Sequence, residues 1–441
     1  MSAESAAPHA VLPADSVLPG VDPHGDVRPA DVATGVIIGR TSEYFDFFVY
    51  AIASVLVFPK WVFPYASPLN ATLYSFVVFA VGFLARPIGD AIFLSVERAW
   101  GRGVKLTAAL FLMGASTVSL GFLPGYAQVG WVSALILAIL RICQCMAFGG
   151  VWDGLPSLLA IYSPEKQRGW YAMIPQLGAP LGLIVASGLF AYFIAYLSPQ
   201  DFYDWGWRYP FFVAFAINVV ALFARLRIVA APEYREKFEA LELQAAPVIE
   251  TIEAEGRNIL IGVFAPLASF AMFHMVTVFP LSWVMLFTKQ TPVTFLIIEL
   301  IAAGFGVVAI VASGYLANRV GRTRVLIVTA AAIAAFSGFA PQLLNTGVVG
   351  ETSYMIIGFI LLGLSFGQAS GTVASNFAPI YRYTASALTS DLAWLFGAGF
   401  APFLALALSA RFGVMASGVY LLSGAIATVT ALAINRRLEV D

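Results

Sequence analysis

The sequence predicts an all-α membrane protein with about twelve transmembrane helices arranged as two six-helix halves. Three observations carry this. Hydrophobic residues make up 60% of the 441 and charged residues only 11%, under half the roughly 25% charge of a soluble domain. Apolar runs long enough to cross a ~30 Å hydrocarbon core recur along the chain. Finally, the longest polar interruption within the chain divides those runs into two equal sets.

The runs lie at 34–58, 71–96, 104–123, 130–156, 169–197, 210–229, 258–287, 293–317, 323–344, 352–376, 384–409 and 413–435. They do not alternate polar with apolar residues, which excludes a membrane barrel. The polar interruption runs from Arg225 to Arg257 and holds Glu236, Lys237, Glu239, Glu250 and Glu253. The expected layout is a disordered tail over 1–31, a first half over 32–229, a linker over 230–257, a second half over 258–436 and a short tail over 437–441. Residues 1–30 are rich in Pro, Ala, Asp and Gly and lack the basic start of a secretory signal.

Lysine and arginine set the expected orientation. With both termini cytoplasmic, the inner loops hold Arg98, Arg102, Lys105, Lys166, Arg168, Arg225, Arg227, Arg235, Lys237, Arg257, Arg319, Arg322, Arg324 and Arg382. The outer loops then hold only Lys60, Arg208, Lys289 and Arg411. A weak repeat supports two halves, because Gly101-Arg102 after the second run matches Gly321-Arg322 after the eighth. Net charge is -1, which suggests no nucleic-acid partner. Cys143 and Cys145, two apart in one apolar run, read as small buried hydrophobes, not as a metal or redox site. No nucleophile–base pair, metal cluster, phosphate loop or ATPase motif is visible, so neither an enzyme nor a cofactor is expected.

Several ordered motifs resemble one family. Gly39-Arg-Thr-Ser-Glu43-Tyr-Phe-Asp46-Phe-Phe-Val-Tyr50 is similar to the first-helix signature of the metabolite:proton symporters of the major facilitator superfamily, and Gly82-Phe-Leu-Ala-Arg86-Pro87-Ile-Gly89 to their second-helix motif. Arg141-Ile-Cys-Gln144, Gly149-Gly150, Arg168-Gly169, Pro175-Gln-Leu-Gly178-Ala-Pro180-Leu-Gly182, Trp205-Gly-Trp-Arg208-Tyr-Pro210 and Phe377-Ala-Pro379 with Arg382 follow in order. The family includes α-ketoglutarate, citrate, shikimate and proline/betaine permeases. The resemblance implies a monomeric, multi-pass protein of the bacterial inner membrane that carries a small organic anion or zwitterion with protons by alternating access. The chain departs from the pattern at Arg40 (commonly Asn), at Val151, Ile161 and Asn376 (commonly Glu), and at Asn318 (commonly Asp). In the first half Glu97 is displaced by one residue, with Arg98 in the aspartate's column. Those missing carboxylates keep a second reading open, a proton-independent facilitator or an exporter of amphipathic molecules.

Charges deep in a bilayer are costly and face a bundle interior or aqueous cavity. Glu43, Asp46, Arg86, Arg141 and His274 fall near the estimated midplane, with Asp90, Glu299 and Asp391 nearer one side. Glu43 and Asp46, three apart, share a helix face with Tyr50 and are candidates for proton coupling, or else each is paired with an arginine. His274 and Asp391 are further proton candidates, while a histidine satisfied by a neighbour is the alternative for the first. Arg86 and Arg141 are candidates to grip a substrate carboxylate, with Tyr50, Gln144 and Gln176 as polar companions. Local pairing of Arg86 with Asp90, four residues on, is the competing role. Glu299 is expected toward the outer vestibule. Asp90, Glu97, Arg98, Arg102, Arg319, Arg322 and Arg382 are expected to brace a cytoplasmic gate. Gly178–Gly182 and Gly397–Gly399 with Pro402 allow close approach or bending of their helices.

Overall fold

A computed structural model describes residues 29–151, 167–230, 244–369 and 376–434. Among these residues every regular element is helical. The first six membrane helices are α1 (Pro29–Leu56), α2 (Pro68–Trp100), α3 (Arg102–Gly121), α4 (Val132–Gly150), α5 (Arg168–Tyr196) and α6 (Tyr209–Ala230). The second six are α7 (Leu267–Phe287), α8 (Pro292–Val320), α9 (Arg322–Ser337), α10 (Gly347–Phe366), α11 (Arg382–Phe412) and α12 (Ser417–Ile434). Ten of the twelve are long and apolar enough to cross a membrane by length and composition alone. The remaining two are α1, which carries Arg40, Glu43 and Asp46, and α9, which has only 16 residues.

The two sets of six repeat the same local punctuation. Ser67 caps α2 by accepting from the Asn70 backbone N–H, with Pro68 at the first helical position; Thr291 and Pro292 do the same for α8. Both helices end at a glycine with positive φ, Gly101 at 85° and Gly321 at 88°, where a side chain would be strained. Packing repeats as well. Helix α2 lies on α4 as α8 lies on α10, α3 on α6 as α9 on α12, and α1 on α5 and α6 as α7 on α11 and α12. The sets meet along α2/α11 and α5/α8.

Prolines interrupt three membrane helices because they remove a backbone donor and crowd the preceding turn. Pro175 lies in a 3₁₀ turn at Ile174–Leu177 of α5. Helix α7 is broken at Val278, just before Pro280, and Pro266 separates it from the preceding helix Val248–Phe264. In α11 a π-helical turn at Trp394–Gly399 precedes Pro402; such turns re-aim side chains and often mark functional positions. Glycines set the closest approaches. A Cβ on Gly178 would sit 2.5 Å from Arg40 Cβ, and one on Gly182 2.6 Å from the Phe45 backbone nitrogen, so α5 meets the α1 backbone directly.

Several expected boundaries shift. Helix α1 starts at Pro29, three residues before the expected Val32. The expected linker over 230–257 contains the start of the helix Val248–Phe264, whose Glu250 lies in its first turn. The run expected to reach 344 ends as an α-helix at Ser337, and Pro341 sits in a separate 3₁₀ turn, Ala340–Asn345. Ile161, Lys166, Arg235, Lys237 and the tails over 1–28 and 435–441 lie outside the described residues.

The α1/α5 contact generates a prediction. Gly182→Ala forces atoms into the α1 backbone, and overpacking costs roughly 1–3 kcal/mol. Gly188→Ala, whose Cβ would stand 3.6 Å from Leu300, meets only ordinary contact. Thermal unfolding in detergent is expected to fall for the first variant and stay near wild type for the second.

Candidate functional site

The centre of the molecule is built around Arg141. Its side chain leaves α4 fully buried, and Gly82 on α2 makes room, since a Cβ there would approach Arg141 Cγ to 3.0 Å. The guanidinium carbon lies 4.0 Å from the Tyr50 ring centroid, 4.8 Å from Phe79 and 5.5 Å from Phe47. Aromatic faces attract a cation, more so where water is excluded. Nη1 donates to Gln144 Oε1 at 2.7 Å. Nε and Nη2 have no acceptor among the described residues.

Gln144 is also bonded to Asp46. Its Nε2 donates to Asp46 Oδ1 at 2.9 Å. Thr117 Oγ1 lies 2.7 and 2.8 Å from the two carboxylate oxygens, and Asn218 Nδ2 donates to Oδ2 at 2.8 Å. Ser42 Oγ in turn donates to Asn218 Oδ1 at 2.8 Å. Side chains from α3, α4 and α6 thus converge on one fully buried carboxylate of α1. Every partner donates, which suits an ionised, acceptor-only group. The orientation of Gln144 is forced, because a guanidinium cannot accept.

Glu43 shares the α1 face but has different surroundings. Arg40 Nη1 lies 2.8 Å from its Oε2, and Arg225 of α6 binds its other oxygen. Gly39 admits that second arginine, since a Cβ there would overlap Arg225 Nε at 2.5 Å. Two cations therefore face one carboxylate.

The second half contributes His274, fully buried on α7. Its ring stacks on Phe47 at 5.4 Å and meets Phe79 edge-on at 5.3 Å. Nδ1 is 3.3 Å from Thr277 Oγ1, and Nε2 has no partner among the described residues. Trp394, on the π-helical turn of α11, stands 6.3 Å from His274 and 4.9 Å from Phe273. Arg86 does not pair with Asp90. Its Nε crosses the α2/α11 seam to Asp391 Oδ1 at 2.6 Å, while its guanidinium lies 5.5 Å from the Trp394 ring. Both Asp90 oxygens are buried with no hydrogen-bond partner among the described residues. Gln176 lies in the 3₁₀ turn of α5, against α1 and α8. Glu299, expected toward a vestibule, is instead fully buried in the α5/α8 seam, where Ser187 Oγ donates to it at 2.9 Å.

The face bearing the basic turns is closed across the halves. Glu97 accepts from Arg102 and Lys105 at 2.7 Å each, and from Tyr383 Oη of α11 at 3.0 Å. Lys105 Nζ also reaches Tyr383 Oη at 2.9 Å. Asn318, where the family motif has an acid, accepts from the Trp170 backbone N–H at 3.2 Å, and Gln368 Nε2 donates to Gly169 O at 3.1 Å. Arg98 donates to Ala246 O at 3.0 Å, Arg322 to Gln368 O at 3.0 Å and Arg382 to Phe377 O at 3.5 Å. Arg319 lies 4.2 Å over the Tyr315 ring. At the opposite face a hollow of about 630 Å³ opens between Trp283, Lys289, Gln290, Asn345 and Glu351. The apolar midplane cleft between Phe48, Pro180, Phe273, Gly306, Phe359 and Phe366 is about 10 Å³, too small to hold more than one water.

Sequence reasoning missed Thr117, Asn218, Lys105, Tyr383, Arg40 and Arg225 as partners. Asn218 had a findable signal, a lone amide inside an apolar run. Lys105 and Arg225 read from the sequence as loop charges, whereas both reach inward, to Glu97 and Glu43. Among the described residues no group of three or more His, Cys, Asp or Glu side chains is placed to hold a metal ion.

Comparison with known proteins places this architecture. The Major Facilitator Superfamily profile matches residues 45–402. The chain is 34% identical over 411 residues to the inner membrane metabolite transport protein YhjE of Escherichia coli (strain K12), covering 91% of this chain and 92% of that one. It is 29% identical to the shikimate transporter of the same organism, over 92% and 94% of the two chains. The proline/betaine transporter of Salmonella typhimurium (strain LT2) is 26% identical over 86% and 77%. A crystal structure of a D-xylose-proton symporter shares the fold with a TM-score of 0.69, at 16% identity over 90% and 96% of the chains. The twelve helices, their repeated packing and these matches agree: the chain belongs to the major facilitator superfamily of membrane transporters.

Proposed function

We propose that this transporter carries a small organic acid together with a proton, by alternating access, across the bacterial inner membrane. The observation that carries this reading is Arg141, a buried cation with two unused donors, tied through Gln144 to the buried acid Asp46. The basic face is the cytoplasmic one, because lysine and arginine collect there, and both termini then lie in the cytoplasm. The chain works as a monomer, residues 32–229 and 258–436 forming the two halves.

Gln144 makes the coupling mechanical. With Asp46 ionised, the amide NH₂ of Gln144 faces the carboxylate and its carbonyl holds Arg141. A protonated Asp46 needs an acceptor for its new O–H, and the Gln144 carbonyl is within reach after rotation of the amide. That rotation turns the NH₂ toward Arg141, which then loses its one protein acceptor. The guanidinium, its Nη1 now without an acceptor, takes the substrate carboxylate on Nε and Nη2 with two parallel hydrogen bonds. Tyr50 and His274 supply further polar contacts. Glu43, held by two arginines, fixes α1 against α6, and the Glu97–Lys105–Tyr383 cluster latches the cytoplasmic side. Gln176 and Asp391 act through α5 and the α2/α11 seam. A proton-independent facilitator is the second reading, favoured by Val151, a buried apolar side chain where the motif that this segment resembles commonly has Glu.

Uptake of labelled organic acids into proteoliposomes tests the proposal. Asp46→Asn is expected to retain counterflow exchange but lose accumulation driven by an inward proton gradient, as an uncoupler does in wild type. Unchanged accumulation in that variant removes Asp46 from the proton path. For the latch, Tyr383→Phe deletes the hydroxyl that joins Glu97 and Lys105 across the halves. It is expected to raise labelling of a cysteine placed in the cytoplasmic half of the α2/α11 seam several-fold. Labelling equal to wild type means the cluster does not hold that side closed.

A further inference from the structure

The central site also specifies the kind of acid it takes, an inference that rests on reading Arg141 as the substrate anchor. We propose that the substrate is a compact, flat, ring-bearing monocarboxylate with one or two hydroxyl groups, a hydroxybenzoate-like acid, rather than a di- or tricarboxylate or a betaine.

Charge decides the number of carboxylates. Four arginines approach the core, and three already face acids: Arg86 is bound by Asp391, and Arg40 and Arg225 by Glu43. Arg141 alone among these has its hydrogen bond to a neutral group, Gln144. One carboxylate fits its Nε and Nη2. A second carboxylate on the same molecule would meet the buried acids Asp90 and Asp391 at the seam, where the nearby arginine, Arg86, is already bound by Asp391. A buried charge left unpaired is strongly unfavourable.

A quaternary ammonium fares no better. Such groups are held by aromatic faces or by an anion. The nearest faces are already occupied: Tyr50, Phe79 and Phe47 surround the Arg141 guanidinium, and Trp394 covers Arg86. Asp46 has all its donors supplied within the protein. The resident cation repels a second one.

The walls decide the body. Phe47, Phe79, Phe83, Phe273, His274 and Trp394 stand 4.9–6.4 Å apart in their contacting pairs, in stacked, tilted and edge-on pairs. A flat ring replaces one of these ring contacts with another of the same kind. These rings already touch one another, so they must part to admit it, which limits size. On the residues that surround Arg141 and these rings, Tyr50 Oη and His274 Nε2 are buried polar atoms with no hydrogen-bond partner among the described residues. Each would bond one hydroxyl, and sites that bond a hydroxyl discriminate strongly against the analogue lacking it.

The test is counterflow in proteoliposomes with wild type, Arg141→Ala and Tyr50→Phe. The probes are benzoate, 3- and 4-hydroxybenzoate, phthalate, citrate, α-ketoglutarate and glycine betaine. Expected is exchange of a hydroxybenzoate that is preferred over benzoate, phthalate and the aliphatic acids, and abolished by Arg141→Ala. Tyr50→Phe is expected to shrink the hydroxybenzoate-over-benzoate preference by roughly tenfold, the loss of about 1.4 kcal/mol. Matching melting temperatures show that the variants are folded. Arg141-dependent exchange of citrate, α-ketoglutarate or betaine in preference to the ring acids overturns the substrate class while leaving the anchor in place. Ring-acid exchange that survives Arg141→Ala overturns the anchor itself. Silence across the ring acids overturns the class as well.

Discussion

A guanidinium buried in a membrane protein without a directly bonded carboxylate is the constraint on which this structure turns. Removing a cation from water costs several kcal/mol even after the surroundings relax, and among the described residues Arg141 makes one hydrogen bond, to a neutral amide. The neighbourhood offsets that cost in three ways. Aromatic faces surround the charge, Gln144 supplies a carbonyl, and Asp46 supplies a negative charge one amide away. Gly82 is small because the arginine has to lie against α2. An arrangement that leaves two strong donors unused is poor for stability and suited to binding an anion.

The rest of the fold serves to bring this centre together and to separate it again. Its parts come from both halves: Arg141, Asp46 and Tyr50 from one, His274 and Trp394 from the other. Any relative motion of the halves therefore opens or closes the site. The seams that would part are polar at the basic face, where Glu97, Lys105 and Tyr383 meet, and aromatic at the midplane. Proline breaks in α5, α7 and α11 lie on the helices that form these seams, and the π-helical turn of α11 places Trp394 against Arg86 and Phe273.

How much of this was legible from residues alone follows from the range of the forces involved. Helix number, the two-half division and the repeated Gly-Arg turns were readable because length, hydropathy and positive-φ glycines are local properties. Asp46, Arg141, Gln144 and His274 stood out because polar groups in apolar runs are conspicuous. Their connections were not readable, since pairing depends on which helices touch. Arg86 illustrates this: sequence spacing offered Asp90 four residues away, whereas the fold brings Asp391 from the other half. Glu43 and Asp46 looked like one acidic pair, yet α6 supplies Arg225 to one and Asn218 to the other. Lys105 and Tyr383 were obscured because each sits at a helix end that also reads as an ordinary interfacial position.

Proton linkage tests the central claim most directly, that the charge on Asp46 controls the availability of Arg141. Binding and protonation must then be reciprocal. Purified transporter in weakly buffered detergent, mixed with an acid that it carries, can be followed with a pH indicator. Net proton uptake on binding is expected in wild type and its loss in Asp46→Asn, with binding retained. Proton uptake that persists undiminished in Asp46→Asn, or binding in wild type without any proton uptake between neutral and alkaline pH, would contradict it.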